Sequence, residues 1–352
     1  MRLENGGYVL LFRDGGVEAR RDGKLLWYNR RPMYVTVKTA FAVNEFYDKP
    51  YDHIAADGDR IVAGGVLAVP SGSAFAFMDI YEAAGDGFKV SREVKVARAA
   101  DDLGFSTKIS FVSAQSDDPR DYWCFAPGVW YRQNEFAPDT AIGKDLDCEY
   151  FWRMETCCAL PLFAMQHIAT GETAALSRWA ADVTMPSTDI LRAENHTDPK
   201  FTAGAIGMSR PESRTLNYMY YGFPVRKPID TQVDGLSIDY VYPGCDGQLP
   251  SQNRFLGLDY RGKVRSFRRV NHPVVDGFEQ RYAVAVRFGR YDSFQSMMRE
   301  NWRVVYERLR DRLFAVDNER HFHNCMKHLK HYTRKYGDAY GLPFAAQLPH
   351  MD

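Results

Sequence analysis

The period of the apolar pattern changes once along this chain, near Tyr291, and that change limits the available folds more than any other feature. Upstream, segments such as 74–81, 88–96 and 105–112 alternate apolar and polar residues with period two, between Gly- and Asp-containing turns. That is the pattern of sheet. Downstream, Phe294, Met297, Met298, Trp302, Val305, Leu309 and Leu313 recur every three or four residues and share one face of a helix. A second helical pattern covers about 319–335 and carries Phe322, Cys325, Met326, Leu329 and Tyr332. Gly337, Gly341 and Pro343 end it.

Strands are expected at 8–13, 17–20, 33–41, 61–69, 74–81, 88–97, 105–114, 151–160, 163–167 and 174–180, then at 215–222, 237–242 and 277–288. Their spacing of about ten residues favours one large antiparallel β-sandwich over alternating βαβ units, so residues 1–290 are read as a single β-rich body. Two stretches, 115–148 and 186–213, are polar and punctuated by Pro; they are read as long loops rather than strands.

Charge and cysteine usage remove several classes of function. The 45 basic and 45 acidic side chains cancel, and no segment gathers enough Lys and Arg to follow a phosphate backbone, so nucleic acid is excluded as a partner. No apolar run reaches the ~18 residues of a membrane helix, and the N-terminus lacks a signal-peptide pattern. Cysteines at 124, 148, 157, 158, 245 and 325 form no dense framework and read as reduced thiols. A cytoplasmic location is the expectation.

Segment 121–136 holds the strongest candidate site. It crowds Trp123, Trp130 and Tyr131 together with Arg132, Asn134 and Glu135, and Pro127-Gly128 makes a turn between them. Aromatic rings stack on the C–H faces of pyranoses, while amides, carboxylates and guanidinium groups orient hydroxyls through directional hydrogen bonds. These six residues are therefore expected to bind a sugar, against the plainer reading that the rings plug a core beneath a loop.

The segment Phe125-Ala-Pro-Gly-Val-Trp-Tyr-x-x-Asn134, the strand pair around Phe77-Met-Asp-Ile-Tyr81 and Arg92, and Tyr340-Gly-Leu-Pro-Phe-Ala-Ala-Gln-Leu-Pro349 resemble parts of carbohydrate-active enzymes. In these, an N-terminal β-supersandwich leads through linker helices into an (α/α)6 toroid, as in glucoamylase-like hydrolases, related phosphorylases and some polysaccharide lyases. The resemblance implies a mainly β fold, with a supersandwich at 1–290 and a helical linker and the start of the toroid at 291–352. It also implies an oligo- or polysaccharide partner. The ring of helices would come from elsewhere, as further chain or a separate helical subunit, and a homo-oligomer stays open.

Glycoside hydrolysis needs two carboxyl groups flanking one bond. The resemblance places them on the toroid, so no catalytic pair is named here. Glu135, Glu149 and Glu155 lie near the aromatic segment and read as exposed carboxylates. The alternative is elimination at a uronate, which needs a base and cations to hold the developing charge. Tyr131 as base, Arg153 as the neutralising cation and His53 are the candidates, with Arg132 and Arg178 of the same residue type. A non-catalytic carbohydrate-binding module is the third reading. No cofactor and no metal are expected, because His321, His323, Cys325, His328 and His331 do not converge at helical spacing. No phosphate-binding loop, nucleophile elbow or dinucleotide fingerprint occurs.

Overall fold

Alternation along each strand sorts its side chains to two faces, and here it builds two large sheets that share one apolar interior. A computed structural model describes residues 1–40, 44–132, 150–179, 203–209, 225–226, 235–244, 247–249, 271–312 and 317–341. The chain forms two compact units, Met1–Leu309 and Arg310–Asp352.

In the larger unit, the first sheet runs Arg2–Asn5, Tyr8–Arg13, Gly16–Arg21, Lys24–Asn29, Gly104–Ser113, Ser237–Tyr242, Ala205–Ser209, Tyr150–Met154 and Gly247–Leu249. Met33–Lys38 also pairs with Gly104–Ser113 and carries Asn44–Lys49 beside it. The second sheet runs Trp130–Arg132, Tyr122–Ala126, Leu162–His167, Glu172–Arg178, Glu279–Arg290, Gly87–Arg98, Ala74–Ala84, Arg60–Ala68 and His53–Asp57. Among the described residues, pairing is antiparallel except where Val225–Arg226 lies parallel to Asn44–Lys49. The fold is mainly β.

Phe12, Trp27, Val35, Ile109 and Tyr240 of the first sheet meet Phe75, Val90, Cys124, Met165 and Val286 of the second in this interior. Helix α1, Phe294–Leu309, covers the other face of the second sheet: Phe294, Met297, Val305 and Leu309 pack on Phe125, Leu162, Ala164 and Ala175. The spacing read from the sequence is the spacing that is buried, although Trp302 stays 37% exposed at the margin of the contact.

A charged pair sits inside the sandwich. Arg92 and Asp79 are opposite one another on adjacent strands and are almost fully enclosed. Arg92 donates to both Asp79 oxygens, to the Lys108 carbonyl (2.6 Å) and to the Pro32 carbonyl (2.8 Å), while the Tyr51 hydroxyl donates to Asp79 Oδ2. A buried pair is tolerable only when its remaining donors and acceptors are satisfied in this way.

Burial raises the phenols of Tyr51, Tyr81, Tyr240 and Tyr282 above their ordinary range and pushes Tyr122 up to about 12. The native state therefore resists phenolate formation more than the unfolded chain does. Stability is full below the unfolded value of about 10 and falls as pH rises through it. In an alkaline titration followed by phenolate absorbance, these rings should ionise together with the loss of tertiary structure. Smooth ionisation with the fold intact would contradict their enclosure.

Three expectations are corrected. The segment 115–148 contains the hairpin Tyr122–Ala126 and Trp130–Arg132, and 186–213 contains the strand Ala205–Ser209. In both, the ladder to a partner distant in sequence outweighs the local polar signal. The strand expected at 151–160 ends at Met154, where Glu155–Cys157 turns as a short 3-10 helix and Glu155 is drawn into the interior. The strand expected at 215–222 and Leu313 lie outside the described residues.

In the smaller unit, helix α2, Asn318–Tyr332, is capped by Asp317, whose side chain accepts from the Arg320 amide at 2.9 Å. It stops at Thr333 rather than 335, because Arg334–Tyr336 and Ala339–Gly341 pair as a hairpin around Gly337. None of its residues is buried, Phe322 and Met326 included. Cys325 Sγ lies 3.6 Å from His321 Nε2. Among the described residues, no three His, Cys, Asp or Glu side chains are grouped to hold a metal ion.

Candidate functional site

The aromatic segment forms a hairpin at one edge of the second sheet. Pro127 and Gly128, with φ of 82° at the glycine, occupy the central positions of a turn closed by the Val129 amide on the Ala126 carbonyl at 2.9 Å. Alternation then separates the two neighbouring rings. Trp130 points into the sandwich, fully buried, with its indole N–H on the Arg132 carbonyl at 2.7 Å. Tyr131 points outward and is 43% exposed, its hydroxyl accepting from the Gly128 amide at 3.0 Å. Trp130 therefore offers no stacking face. Trp123 is half-buried, with the Arg132 guanidinium 5.6 Å from its ring and Phe294 packed against its edge. Asn134 and Glu135 lie outside the described residues, as does Glu149.

Two of the residues considered for elimination, Tyr131 and His53, do not meet. Tyr131 and His53 occupy opposite edge strands of the nine-stranded sheet, eight inter-strand steps of about 4.8 Å, or roughly 38 Å measured across it. Arg153 belongs to the first sheet. Glu155 is buried rather than exposed, and accepts from Arg178 (2.7 Å) and from the Gly204 amide (2.6 Å). Both residues are joined in a structural ion pair.

The first sheet carries a second constellation, on the face turned away from the shared interior. Ser106, Lys108 and Ser110 alternate with Phe105, Thr107, Ile109 and Phe111, so they project to that outer face, where they are nevertheless buried. Lys108 Nζ is 3.3 Å from Asp239 and 4.6 Å from the Tyr34 ring centroid. Asp239 also accepts from Trp152 Nε1 (2.9 Å), Ser237 Oγ (2.8 Å) and Ser209 Oγ. Its oxygens are occupied by donors, which makes it a fixed anchor for Lys108.

Beside this anchor a cavity of about 250 Å³ opens, lined by Tyr28, Asn29, Arg31, Tyr34, Asp48, Lys108 and Ser110. Arg31 donates to Asp48 and to its carbonyl (2.5 and 2.7 Å), and Asn29 donates to the Ser110 carbonyl at 2.9 Å. Tyr28 forms one wall, with the Arg30 guanidinium 5.0 Å from its ring centroid. Two phenol rings, one amide, two carboxylates (Asp14 and Asp48) and three cations (Arg30, Arg31 and the buried Lys108) surround a volume below the usual range for drug-sized ligands. Such walls suit a compact molecule with apolar faces and several hydroxyls.

The fold thus defines a two-sheet, mainly antiparallel β protein with a polar, aromatic-walled pocket on one outer sheet face. No family model matches the chain, and no curated protein matches it. Among solved structures, the chain is similar to the alpha-N-acetylgalactosaminidase NagBb from Bifidobacterium bifidum, at 12% identity and a TM-score of 0.41, over 87% of this chain and 39% of that enzyme. It is also similar to a galactose mutarotase related enzyme from Lactobacillus acidophilus, at 8% identity and a TM-score of 0.38, covering 83% of this chain and 98% of the other. A third is the GH36 alpha-galactosidase AgaA from Geobacillus stearothermophilus, at 9% identity, a TM-score of 0.37 and coverage of 82% and 40%. All three are carbohydrate-active enzymes. Likeness of this degree assigns no activity, and the chain spans 39% of the acetylgalactosaminidase's length.

Proposed function

We propose that the larger unit binds carbohydrate, one sugar ring occupying the pocket between Tyr28, Tyr34 and Lys108 on the first sheet. The observation that carries this reading is the enclosure of aromatic and polar groups around one small cavity: rings for the C–H faces, and Asn29, Arg31, Asp48 and Lys108 for hydroxyls. Tyr28→Ala should weaken binding roughly five- to tenfold, the effect of losing about 1–1.5 kcal/mol of stacking. Calorimetric titration with neutral and uronate mono- and oligosaccharides measures it. The reading fails if no sugar in such a panel binds saturably, or if Tyr28→Ala binds as wild type does.

A second platform at Tyr131, beside Arg132 and Trp123, is favoured by the exposed Tyr131 ring. It would extend recognition to a longer saccharide.

For the protein as a whole we retain hydrolysis of a glycosidic bond, with its carboxylate pair supplied from a helical toroid, over elimination. Elimination needs its catalytic groups at one point, and the separation of Tyr131 from His53 counts against it. The full protein should release reducing sugar without ultraviolet absorbance from an unsaturated uronate. Absorbance that disappears in Tyr131→Phe would reverse this preference.

A further inference from the structure

A separate cavity of about 250 Å³ lies on the outer face of the second sheet, beneath α1. It belongs to neither of the surfaces assigned to sugar. Leu162, Ala175 and Ala285 wall it from the sheet and Val304 and Val305 from the helix. Hydroxyls placed against these aliphatic walls would lose water without gaining partners, so an apolar body suits that side of the cavity.

Its distinguishing group is Arg308, in the last turn of α1. Nη2 donates to Ser177 Oγ (2.5 Å) and to the Arg178 carbonyl (3.0 Å), and the guanidinium stacks 5.2 Å from the Trp179 ring centroid. Nε is sealed from solvent and has no acceptor. Asp86 and Glu307 also line the cavity, and each is paired with another arginine: Asp86 with Arg287 at 2.6 Å, and Glu307 with Arg303 at 3.1 Å. Burial lowers the Arg308 pKa to about 10, and the more distant charge of Asp86 opposes that shift only in part. A guanidinium withdrawn from water without an anion is costly, and a ligand carboxylate offsets that cost with charge-assisted hydrogen bonds. Arg287 and Asn301 also line the cavity but are bonded to each other (3.1 Å), so they complete its wall and leave Arg308 as its anion-binding group.

We propose that this cavity binds a small carboxylate with an apolar body, the carboxylate on Arg308 and the body against Leu162, Ala175, Val304 and Val305. Because sheet and helix both contribute, the ligand would hold α1 to the second sheet and stabilise the larger unit by mass action. The proposal is independent of the sugar reading.

The test is calorimetric titration and thermal melting of the intact chain with benzoate and with benzamide, its neutral counterpart of similar shape. Benzoate should bind one to one and raise Tm, with benzamide at least tenfold weaker. Arg308→Met should abolish that preference. Val304→Trp, which fills the cavity without removing the guanidinium, should abolish benzoate binding and guards against a fold-sensitive result at Arg308. Equal affinities for the two probes, no saturable benzoate binding by the wild type, or benzoate binding unchanged in either folded variant would overturn the proposal.

Discussion

Asp79→Ala should destabilise the larger unit by about 3–5 kcal/mol, the usual consequence of leaving one partner of a buried ion pair uncompensated. Asp79 takes the Nε and Nη2 hydrogen bonds of Arg92, which is 1% exposed, and its second oxygen also accepts from Tyr51. Removing it strands a guanidinium between two sheets where water cannot hydrate it. Because domains of this kind are held by only about 5–15 kcal/mol, the variant should unfold at much lower urea and accumulate poorly. The double variant Asp79→Leu/Arg92→Met should recover a large part of the loss, since apolar side chains of similar volume replace the pair without an orphaned charge. A single-variant loss below about 1 kcal/mol would mean that Arg92 finds water or another acceptor, contrary to its enclosure.

Trp130→Ala should cost about 3–5 kcal/mol of stability, the range for deleting a large core aromatic, and should leave sugar affinity of the folded fraction unchanged. Trp130 is fully enclosed among the residues shared by the two sheets, and its N–H is satisfied by the Arg132 carbonyl at 2.7 Å. The cavity left behind would be lined by apolar groups that cannot recruit water to fill it. Urea unfolding beside titration with the same saccharides separates the two effects. A large loss of affinity with an unchanged urea midpoint would return Trp130 to the role of a stacking ring. Tyr131→Ala is the useful contrast, because its half-exposed ring should cost less stability than Trp130 does.

The aromatic segment shows how far residue types can be read. Residues 121–136 advertise rings, cations and a turn, and the turn forms as Pro127-Gly128 requires. What residue type alone does not convey is that Trp130 and Tyr131 face opposite ways across the sheet, one as packing and the other as surface. That assignment needs strand status, and strand status here depends on the Trp130–Arg132 ladder to Tyr122–Ala126. The pocket on the first sheet has no local signature for a related reason. Lys108, in a strand of strict alternation, reads as a solvent-facing residue, and nothing local announces that it is buried against Asp239.

By itself, the sequence determined the periods: sheet up to about residue 290 and a helix whose Phe294, Met297, Val305 and Leu309 are buried. Period is a local property, set by how successive Cβ atoms point within one strand or one helix turn. Tertiary structure alone decided which strands are neighbours, and with them every candidate site. It placed Tyr131 and His53 at opposite edges of one sheet, set Arg92 against Asp79 in the interior, and brought Lys108 to Ser209, 101 positions along the chain. Backbone hydrogen bonds between strands are blind to side-chain identity, so register and sheet order come from the collective burial of both inner faces, and no short segment encodes them.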